Sequence, residues 1–300
     1  MTKVLITGAA GFTGRYLTRR LAAAGHEIHG TVHAECASEP VQGLTAQHSV
    51  DVSNPDQLRE VVAEIAPDKV VHLAAISFVG HRDVNEIYRT NVVGTRNLLD
   101  ALVQSPVAPT AVVLASSANV YGNGAEGKLD ESFPPAPVND YGVTKAAAEL
   151  VAGMYRARLP LIVARPFNYT GLGQSERFVV AKIVAHARRR DAELELGNLD
   201  VARDFSDVRT VVEAYARLLE CPAAVGETFN ICSGRATALR ELITLVANIS
   251  GHELTVRTNP RFVRADEVTT LWGSPAKLER VIGPLSTPPL EDTLRWMLEG

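Results

Sequence analysis

Cysteine is scarce in this chain. Three occur in 300 residues, Cys36, Cys221 and Cys232, far apart and without metal-ligand spacing. A disulfide framework and a thiolate metal site are therefore excluded, and a reducing, cytoplasmic setting with no metal is expected. Long apolar runs are also missing: no stretch reaches the ~18 residues that a membrane span needs. Residues 1–7 (MTKVLIT) already read as a strand, so no signal peptide is expected ahead of the fold. Neither charge sign dominates, with Lys+Arg 30 against Asp+Glu 34 and a net charge of −4. That balance argues against nucleic acid or an anionic membrane as a partner, while leaving a single small anionic ligand open. Internal repeats and low-complexity linkers are absent as well. What is present, 46% hydrophobic and 21% charged residues, is the make-up of an ordinary globular protein and excludes disorder over most of the chain. The length fits two domains of ~150 residues or one large α/β domain.

The first half alternates short apolar runs with segments of helical spacing. Strands are expected at Lys3–Thr7, Glu27–Val32, Gln47–Val50, Lys69–Ala74, Thr110–Ser116 and Leu161–Arg165. Helices are expected over 13–24, from Pro55 behind an Asn54 cap, over 84–104 and over Tyr141–Arg158. Strands separated by helices pair in parallel through right-handed crossovers, so the expected fold class is α/β with a doubly wound parallel sheet. After Pro166 the rhythm changes. Short strands (Leu194–Leu196, Asp204–Phe205, Glu227–Cys232, Leu254–Arg257) mix with helices over 175–190, 208–220, 237–250 and 290–299, the pattern of a smaller α/β lobe. The Gly-, Pro- and Asp-rich segment 122–140 reads as a long loop of the kind that often carries function.

Between the first strand and the first helix stands Gly8-Ala9-Ala10-Gly11-Phe12-Thr13-Gly14. Gly8, Gly11 and Gly14 permit a tight turn and a close backbone approach, and the helix N-terminus supplies a positive dipole end, so a pyrophosphate fits there. The spacing is G-x-x-G-x-x-G, and a Gly-rich turn alone is common; the flanking strand and helix are what point to a dinucleotide. The tip of the second strand, Gly30-Thr31-Val32-His33, carries neither the acid that suits a free ribose hydroxyl nor the Arg that suits a 2′-phosphate. His33 serves either role weakly or is a plain surface residue, which leaves NADH against NADPH open. Asp51-Val52 follows the third strand, where a carboxylate can reach an adenine amino group; Asp51 equally suits a turn before Asn54.

Tyr141-Gly-Val-Thr-Lys145 opens a helix, and residues four apart share a face, so phenol and ammonium point the same way. A cation beside a phenol favours its ionised form and is expected to bring the phenol's pKa down. Ser116 and Ser117 close the strand that ends at the edge where ligands bind in such sheets, and a hydroxyl there can polarise a carbonyl. A lone Y-x-x-x-K pair is more often surface decoration; the conjunction with the glycine loop and a strand-end serine is what points to a catalytic Ser117, Tyr141 and Lys145.

With these stretches together (TGAAGFTG at 7–14, HLAA at 72–75, SSANVYG at 116–122, YGVTK at 141–145, ARPFN at 164–168), the chain resembles the extended short-chain dehydrogenase/reductase family, the NAD-dependent epimerase/dehydratase group. The resemblance implies a Rossmann domain over 1–165, with 203–232 partly returning to it, and a sugar-nucleotide-binding lobe over 166–300. It implies Tyr141 as acid/base, assisted by Ser117, and Lys145 as its tuner and a ribose contact. Leu73, Ala74 and Ala75 would line the cofactor, as would Asn91 in the position of the family's helix asparagine. The dimer common in the family would pack 84–104 and 141–158 into a four-helix bundle; Val92, Val93, Leu98, Leu99 and Leu102 would serve there or as ordinary core.

Where 4,6-dehydratases place an acid after the active-site Ser or Thr, Ala118-Asn119 stands here; where the fucose-forming epimerase/reductase uses a Cys, Ala118 stands, with Gly171-Leu172-Gly173 downstream. The C-terminal stretches ARPFNYTGLGQSERFVV, ETFNICSG and RADEVTTLWGSPAKL resemble GDP-4-keto-6-deoxy-D-mannose 4-reductases. That resemblance implies Asn168, Arg203 and Arg264 near a substrate diphosphate and Glu267 on a ribose, with Ser116 and Ser117 at the sugar; guanidinium donors and a carboxylate acceptor suit those tasks. The expected reaction is reduction of a 4-keto-6-deoxy sugar nucleotide by NADPH or NADH, giving GDP-D-rhamnose or its C4 epimer GDP-6-deoxy-D-talose, with GDP ahead of dTDP or UDP. A nucleotide-sugar 4-epimerase uses the same three residues and stays open. A non-catalytic dinucleotide sensor is the remaining alternative, against which the retained Tyr/Lys pair argues.

Overall fold

The computed structural model describes residues 1–123, 127–263 and 268–300. In β1 (Lys3–Thr7) every residue from Val4 to Thr7 is buried, as expected of a central parallel strand covered on both faces. Gly8 follows at φ 71°, a left-handed value that favours glycine, and turns the chain into α1 (Phe12–Ala23). Next come β2 (Glu27–Val32), β3 (Ala46–Ser49) and α2 (Pro55–Ile65). Asn54 caps α2 by accepting from the backbone N–H groups of Asp56 and Gln57, with Pro55 preset at the first helical position. β4 (Lys69–His72) leads to α3 (Val84–Tyr88), a single π-helical turn over Arg89–Val93, and α4 (Gly94–Val103). The half closes with β5 (Ala111–Ala115), α5 (Asp140–Gly153) and β6 (Leu161–Pro166).

The second half holds β7 (Asn168–Thr170), α6 (Val179–Arg189), β8 (Glu193–Leu196), β9 (Ala202–Asp207), α7 (Val208–Leu219), β10 (Thr228–Ile231), β11 (Ala236–Ala238), α8 (Leu239–Ser250), β12 (Thr255–Thr258), β13 (Thr270–Leu271), α9 (Ala276–Ile282) and α10 (Leu290–Glu299).

Seven parallel strands form the main sheet in the order β10-β6-β5-β4-β1-β2-β3. This is the Rossmann-like α/β fold. The order reverses between β1 and β4, which opens a crevice at the carboxyl ends of the strands where such sheets bind ligands. Leu17 and Leu21 of α1 and Val211, Tyr215 and Leu218 of α7 cover one face, packing with Val4, Ile6 and Phe229. Leu58 and Val62 of α2, Leu98 and Leu102 of α4 and Ala152 of α5 cover the other, packing with Leu5, Val70 and Val112. Beyond the sheet, β9 pairs with β7, β11 and β13, and β8 pairs with β12. There α6, α8 and α10 enclose a separate cluster with Ile183, Leu194, Leu242, Leu294 and Met297.

Several expectations need adjustment. The helix over 84–104 is interrupted by the π turn, and the helix from Tyr141 stops at Gly153 rather than running to Arg158. The strands β7, β11 and β13, of two or three residues, and the helix α9 gave no periodic signal. Leu98, Leu99 and Leu102 are core residues, whereas Val93 is 46% exposed. The strand read at Glu227–Cys232 is β10, at the edge of the main sheet beside β6. Among the described residues, no helix is long and apolar enough to cross a membrane and no group of three His, Cys, Asp or Glu is placed to hold a metal.

Candidate active site

The glycine loop is built for close approach. A Cβ on Gly8 would lie 2.9 Å from the Ala74 backbone, and one on Gly14 would lie 2.4 Å from the Gly8 carbonyl oxygen and 2.6 Å from that of Ala9. Backbone therefore fills the space that side chains would take, and β1 meets the end of β4 at the switch point. Gly11 sits at the N-cap of α1 with no side chain capping the helix, so the first-turn N–H groups around Phe12, Thr13 and Gly14 are available to an anion. Thr7 braces the other wall: its hydroxyl accepts from the Ala74 N–H at 3.2 Å and its carbonyl from the Leu73 N–H at 3.2 Å, ahead of Ala75. The cradle fits a dinucleotide's pyrophosphate.

Ser117, Tyr141 and Lys145 converge beside it, all buried. Ser117 follows β5 and opens a 3-10 turn over Ala118–Val120, its Oγ accepting from the Asn119 N–H and side-chain amide, each at 3.2 Å. Asn139 caps α5 by accepting from the Gly142 N–H at 2.9 Å, which places Tyr141 in the first turn. Gly142 lets that turn press on the serine loop, since a Cβ there would lie 2.6 Å from the Asn119 carbonyl oxygen. Lys145 Nζ donates to the Ala115 carbonyl at 2.7 Å and lies 6.0 Å from the centre of the Tyr141 ring.

The expected lowering of the Tyr141 pKa is not found. Burial pushes the phenol up, with only a partial pull back from the Ser117 hydroxyl. The cause lies partly in Lys145: burial brings its ammonium down to about 8, Glu149 acting against that, and Nζ is committed to a carbonyl rather than to the ring. Tyr141 is consequently a protonated donor at neutral pH.

Other expected site residues are placed unevenly. Consecutive residues at a strand end face opposite ways, and Ser116 Oγ donates to Glu149 at 2.5 Å, a protein partner where a sugar contact was expected. Asn91, in the π turn, is 1% exposed and spends its amide on protein, accepting from the Ile76 N–H at 2.8 Å and donating to the Ile76 carbonyl and Thr144 Oγ1 at 3.0 Å. It positions the β4 loop against α5 where a direct cofactor contact was expected; π turns often mark such sites. Asp51 holds a turn, accepting from Ser53 N at 2.8 Å and Ser53 Oγ at 2.9 Å, and Val52 is buried against Gly94. His33 is an exposed residue after β2, 3.8 Å from Glu35.

In the second lobe, Asn168 lies on β7 opposite Phe205. Arg203, expected at a diphosphate, donates to the carbonyls of Ala202, Val268 and Thr269 and so ties β9 to the chain that follows Arg264–Glu267. Arg264 and Glu267 themselves lie outside the described residues. One residue was not anticipated: Tyr169 bonds Thr13 Oγ1 at 2.8 Å and stacks on Phe12 at 6.2 Å, joining the glycine loop to the second lobe.

The chain is similar to known proteins over nearly its whole length. A family model described as GDP-mannose 4,6 dehydratase matches residues 5–297. The chain belongs to this family. GDP-6-deoxy-D-talose 4-dehydrogenase of Aggregatibacter actinomycetemcomitans is 36% identical over 281 residues, 94% of this chain and 91% of its own. GDP-6-deoxy-D-mannose reductase of Pseudomonas aeruginosa is 36% identical over 307 residues, 99% of this chain and 96% of its own. The structure of RMD from that organism, complexed with NADPH, matches with a TM-score of 0.85 at 34% identity, over 100% of this chain and 98% of that one. A solved structure of a candidate epimerase from Burkholderia cenocepacia J2315 matches with a TM-score of 0.92 at 47% identity, over 99% of this chain and 97% of that one. The family thus spans several reactions, and its name does not decide among them.

Proposed function

We propose that this protein is a nucleotide-sugar 4-ketoreductase, acting on GDP-4-keto-6-deoxy-D-mannose with NADPH or NADH. The observation that carries the reading is the placement of Tyr141: a buried phenol set beside Ser117 with Lys145 on the same helical face, as a proton donor to a forming alkoxide must be. Gly8, Gly11 and Gly14, with the N–H groups at Phe12 and Thr13, would hold the dinucleotide. A reduced nicotinamide, when bound, supplies the hydride that the C4 carbon takes up. Ser117 donates a hydrogen bond to the carbonyl oxygen as negative charge develops on it, an electrostatic contribution that is commonly large. Tyr141 passes its proton to the same oxygen, and the phenolate left behind is stabilised by the Lys145 ammonium.

Dehydration suits the site poorly. It needs an acid/base to move a proton and help a hydroxyl leave, and the residue beside Ser117 is Asn119, whose amide is spent on Ser117 Oγ. The names of the 36% identical relatives favour a GDP-linked 6-deoxyhexose. Arg203, Arg264 and Glu267 remain our candidates for shaping that end of the site, Arg203 through the backbone it holds. The test is incubation of the protein and GDP-4-keto-6-deoxy-D-mannose with NADPH or NADH, with product identification by NMR. The expected outcome is stoichiometric cofactor oxidation and a GDP-6-deoxyhexose, whose proton couplings separate the rhamnose product from the talose one. Interconversion of UDP-hexoses without net cofactor use would instead make it an epimerase.

We further propose a homodimer through α4 and α5. Val143 and Leu150 on α5 and Met154 at its C-terminal cap recur at helical spacing, the last two 77% and 66% exposed, with Val93 at the end of the π turn that leads into α4. Leu150→Glu is expected to leave the fold intact and to shift the dimer toward monomer by at least ~tenfold, since burying one such side chain is worth ~1.5–3 kcal/mol. Analytical ultracentrifugation reads this directly; a variant that associates like wild type would rule this face out.

A further inference from the structure

Glu149 has no part in the reaction as derived so far, yet it is half-buried behind the site. Its side chain is 12% exposed and that of its partner Arg165 is 7% exposed. Arg165 donates to it from Nε at 2.8 Å and from Nη2 at 2.6 Å, and Arg165 Nη1 continues to the Tyr121 hydroxyl at 3.0 Å. Tyr141, Lys145 and Glu149 recur every four residues along one face of α5. Lys145 grips the Ala115 carbonyl, and Glu149 takes the Ser116 hydroxyl. Consecutive residues at the end of β5 are therefore held by consecutive turns of the catalytic helix, and Ser117 is the next residue along. We propose that Glu149 is a positioning residue for the reductase chemistry: it clamps β5 to α5, so that Ser117 meets Tyr141, and it sets a carboxylate one helical turn behind Lys145 on the same face of α5.

The charge half of this proposal has a definite sign. Burial brings the Lys145 ammonium down to about 8, and Glu149 is the group that raises it. The other groups around Lys145 do not replace Glu149. Tyr141 on α5 stays protonated. His72 on β4 is brought down to about 3 and stays neutral, bonded by Thr7 and Thr95. Asn91 and Thr95 beside the π turn are uncharged, Tyr169 on β7 is pushed up, and Arg165 on β6 is a cation that Glu149 screens. Without the carboxylate, Lys145 loses its proton at lower pH, and the phenolate formed on Tyr141 loses its stabiliser.

The inference rests on the ketoreductase reading, and the experiment separates the two. In Glu149→Gln the amide still accepts from Ser116 but carries no charge. The expected result is a nearly unchanged KM, with the alkaline fall of kcat moved about one pH unit lower and hence about a tenfold loss of kcat on that limb. Ser116→Ala should lower kcat without moving the limb. Should the single change unfold the protein by stranding Arg165, Glu149→Gln/Arg165→Gln removes both charges; the cation of the pair goes with the carboxylate, so the limb should move in the same direction by a smaller amount, and an unmoved limb there overturns the charge role. A Glu149→Gln profile superimposable on wild type would overturn the proposal. Independently of substrate, ¹³C NMR of ε-labelled lysine, assigned with Lys145→Arg, should show the Lys145 midpoint lower in the variant; an unmoved midpoint overturns the charge role even if wild type reduces no 4-keto sugar.

Discussion

Tyr141→Phe is expected to bind the dinucleotide like wild type and to lower kcat by ~10²–10⁴-fold, the usual worth of a positioned proton donor. The separation follows from what each part of the site does. The change removes one oxygen and leaves the ring in its place, 8% exposed. The anchors of the surrounding backbone do not involve that oxygen: Asn139 still caps α5, Lys145 still holds the Ala115 carbonyl, and Gly142 still seats the first turn against the Asn119 loop. Ser117 keeps its place and can still polarise the ketone, so activity should persist at a low level. Steady-state reduction gives kcat and KM, and quenching of cofactor fluorescence gives Kd. If kcat stays within a small factor of wild type, the proton comes from elsewhere and the assignment of Tyr141 fails. A weaker Kd with unchanged kcat would make the residue a binding group instead.

That Tyr141 holds its proton more firmly than expected is a lesson in what spacing conveys. A Y-x-x-x-K pair places two groups on one helical face, but it does not say where the ammonium donates. Here the carbonyl at the end of β5 captures it, and burial governs both pKa values. The serines differ in the same way. Adjacent in sequence, they are divided by the pleat, one bonded to Asn119 and one to Glu149.

The centre of the main sheet was legible because β1, β4, β5 and β6 are short runs built on buried apolar residues between segments of helical periodicity; β3, Ala-Gln-His-Ser with no buried residue, was legible only through its neighbours. The π turn at Asn91 was not, since one additional residue per turn barely disturbs an amphipathic pattern. Short strands such as β7 and β13 exist only because β9 offers them partners. Glu149 was hidden by its surroundings, because an acid within Ala-Ala-Ala-Glu-Leu looks like a solvated helix face. Its burial depends on Arg165, sixteen residues later and on a different element. Tyr169 was hidden likewise, its partner Thr13 lying at the other end of the fold's first half.

Gly14→Ala should abolish useful cofactor binding while leaving most of the fold in place. The backbone at Gly14 is helical, so an alanine costs nothing in conformation; the obstacle is contact. The new Cβ would fall 2.4 Å from the Gly8 oxygen and 2.6 Å from the Ala9 oxygen. Both are backbone atoms of the cradle itself, held by the Gly11 N–H on Gly8 and by the Ala9 N–H on Thr31, each at 3.0 Å. Relief requires the Gly8–Ala9 peptides to move by about 1 Å, a displacement that can cost ~100-fold when a site depends on position. Overpacking of this kind costs ~1–3 kcal/mol of stability, which a chain of this size survives. Gly153→Ala is the control, because nothing lies within 4 Å of its Cβ, and in a helix the exchange is stabilising by up to ~1 kcal/mol. Calorimetric titration with NADPH and NADH should show at least a ~100-fold weaker Kd for Gly14→Ala and an unchanged one for Gly153→Ala. Equal affinities in the two variants would mean that the dinucleotide does not lie on this loop, and the ketoreductase reading would lose its cofactor site.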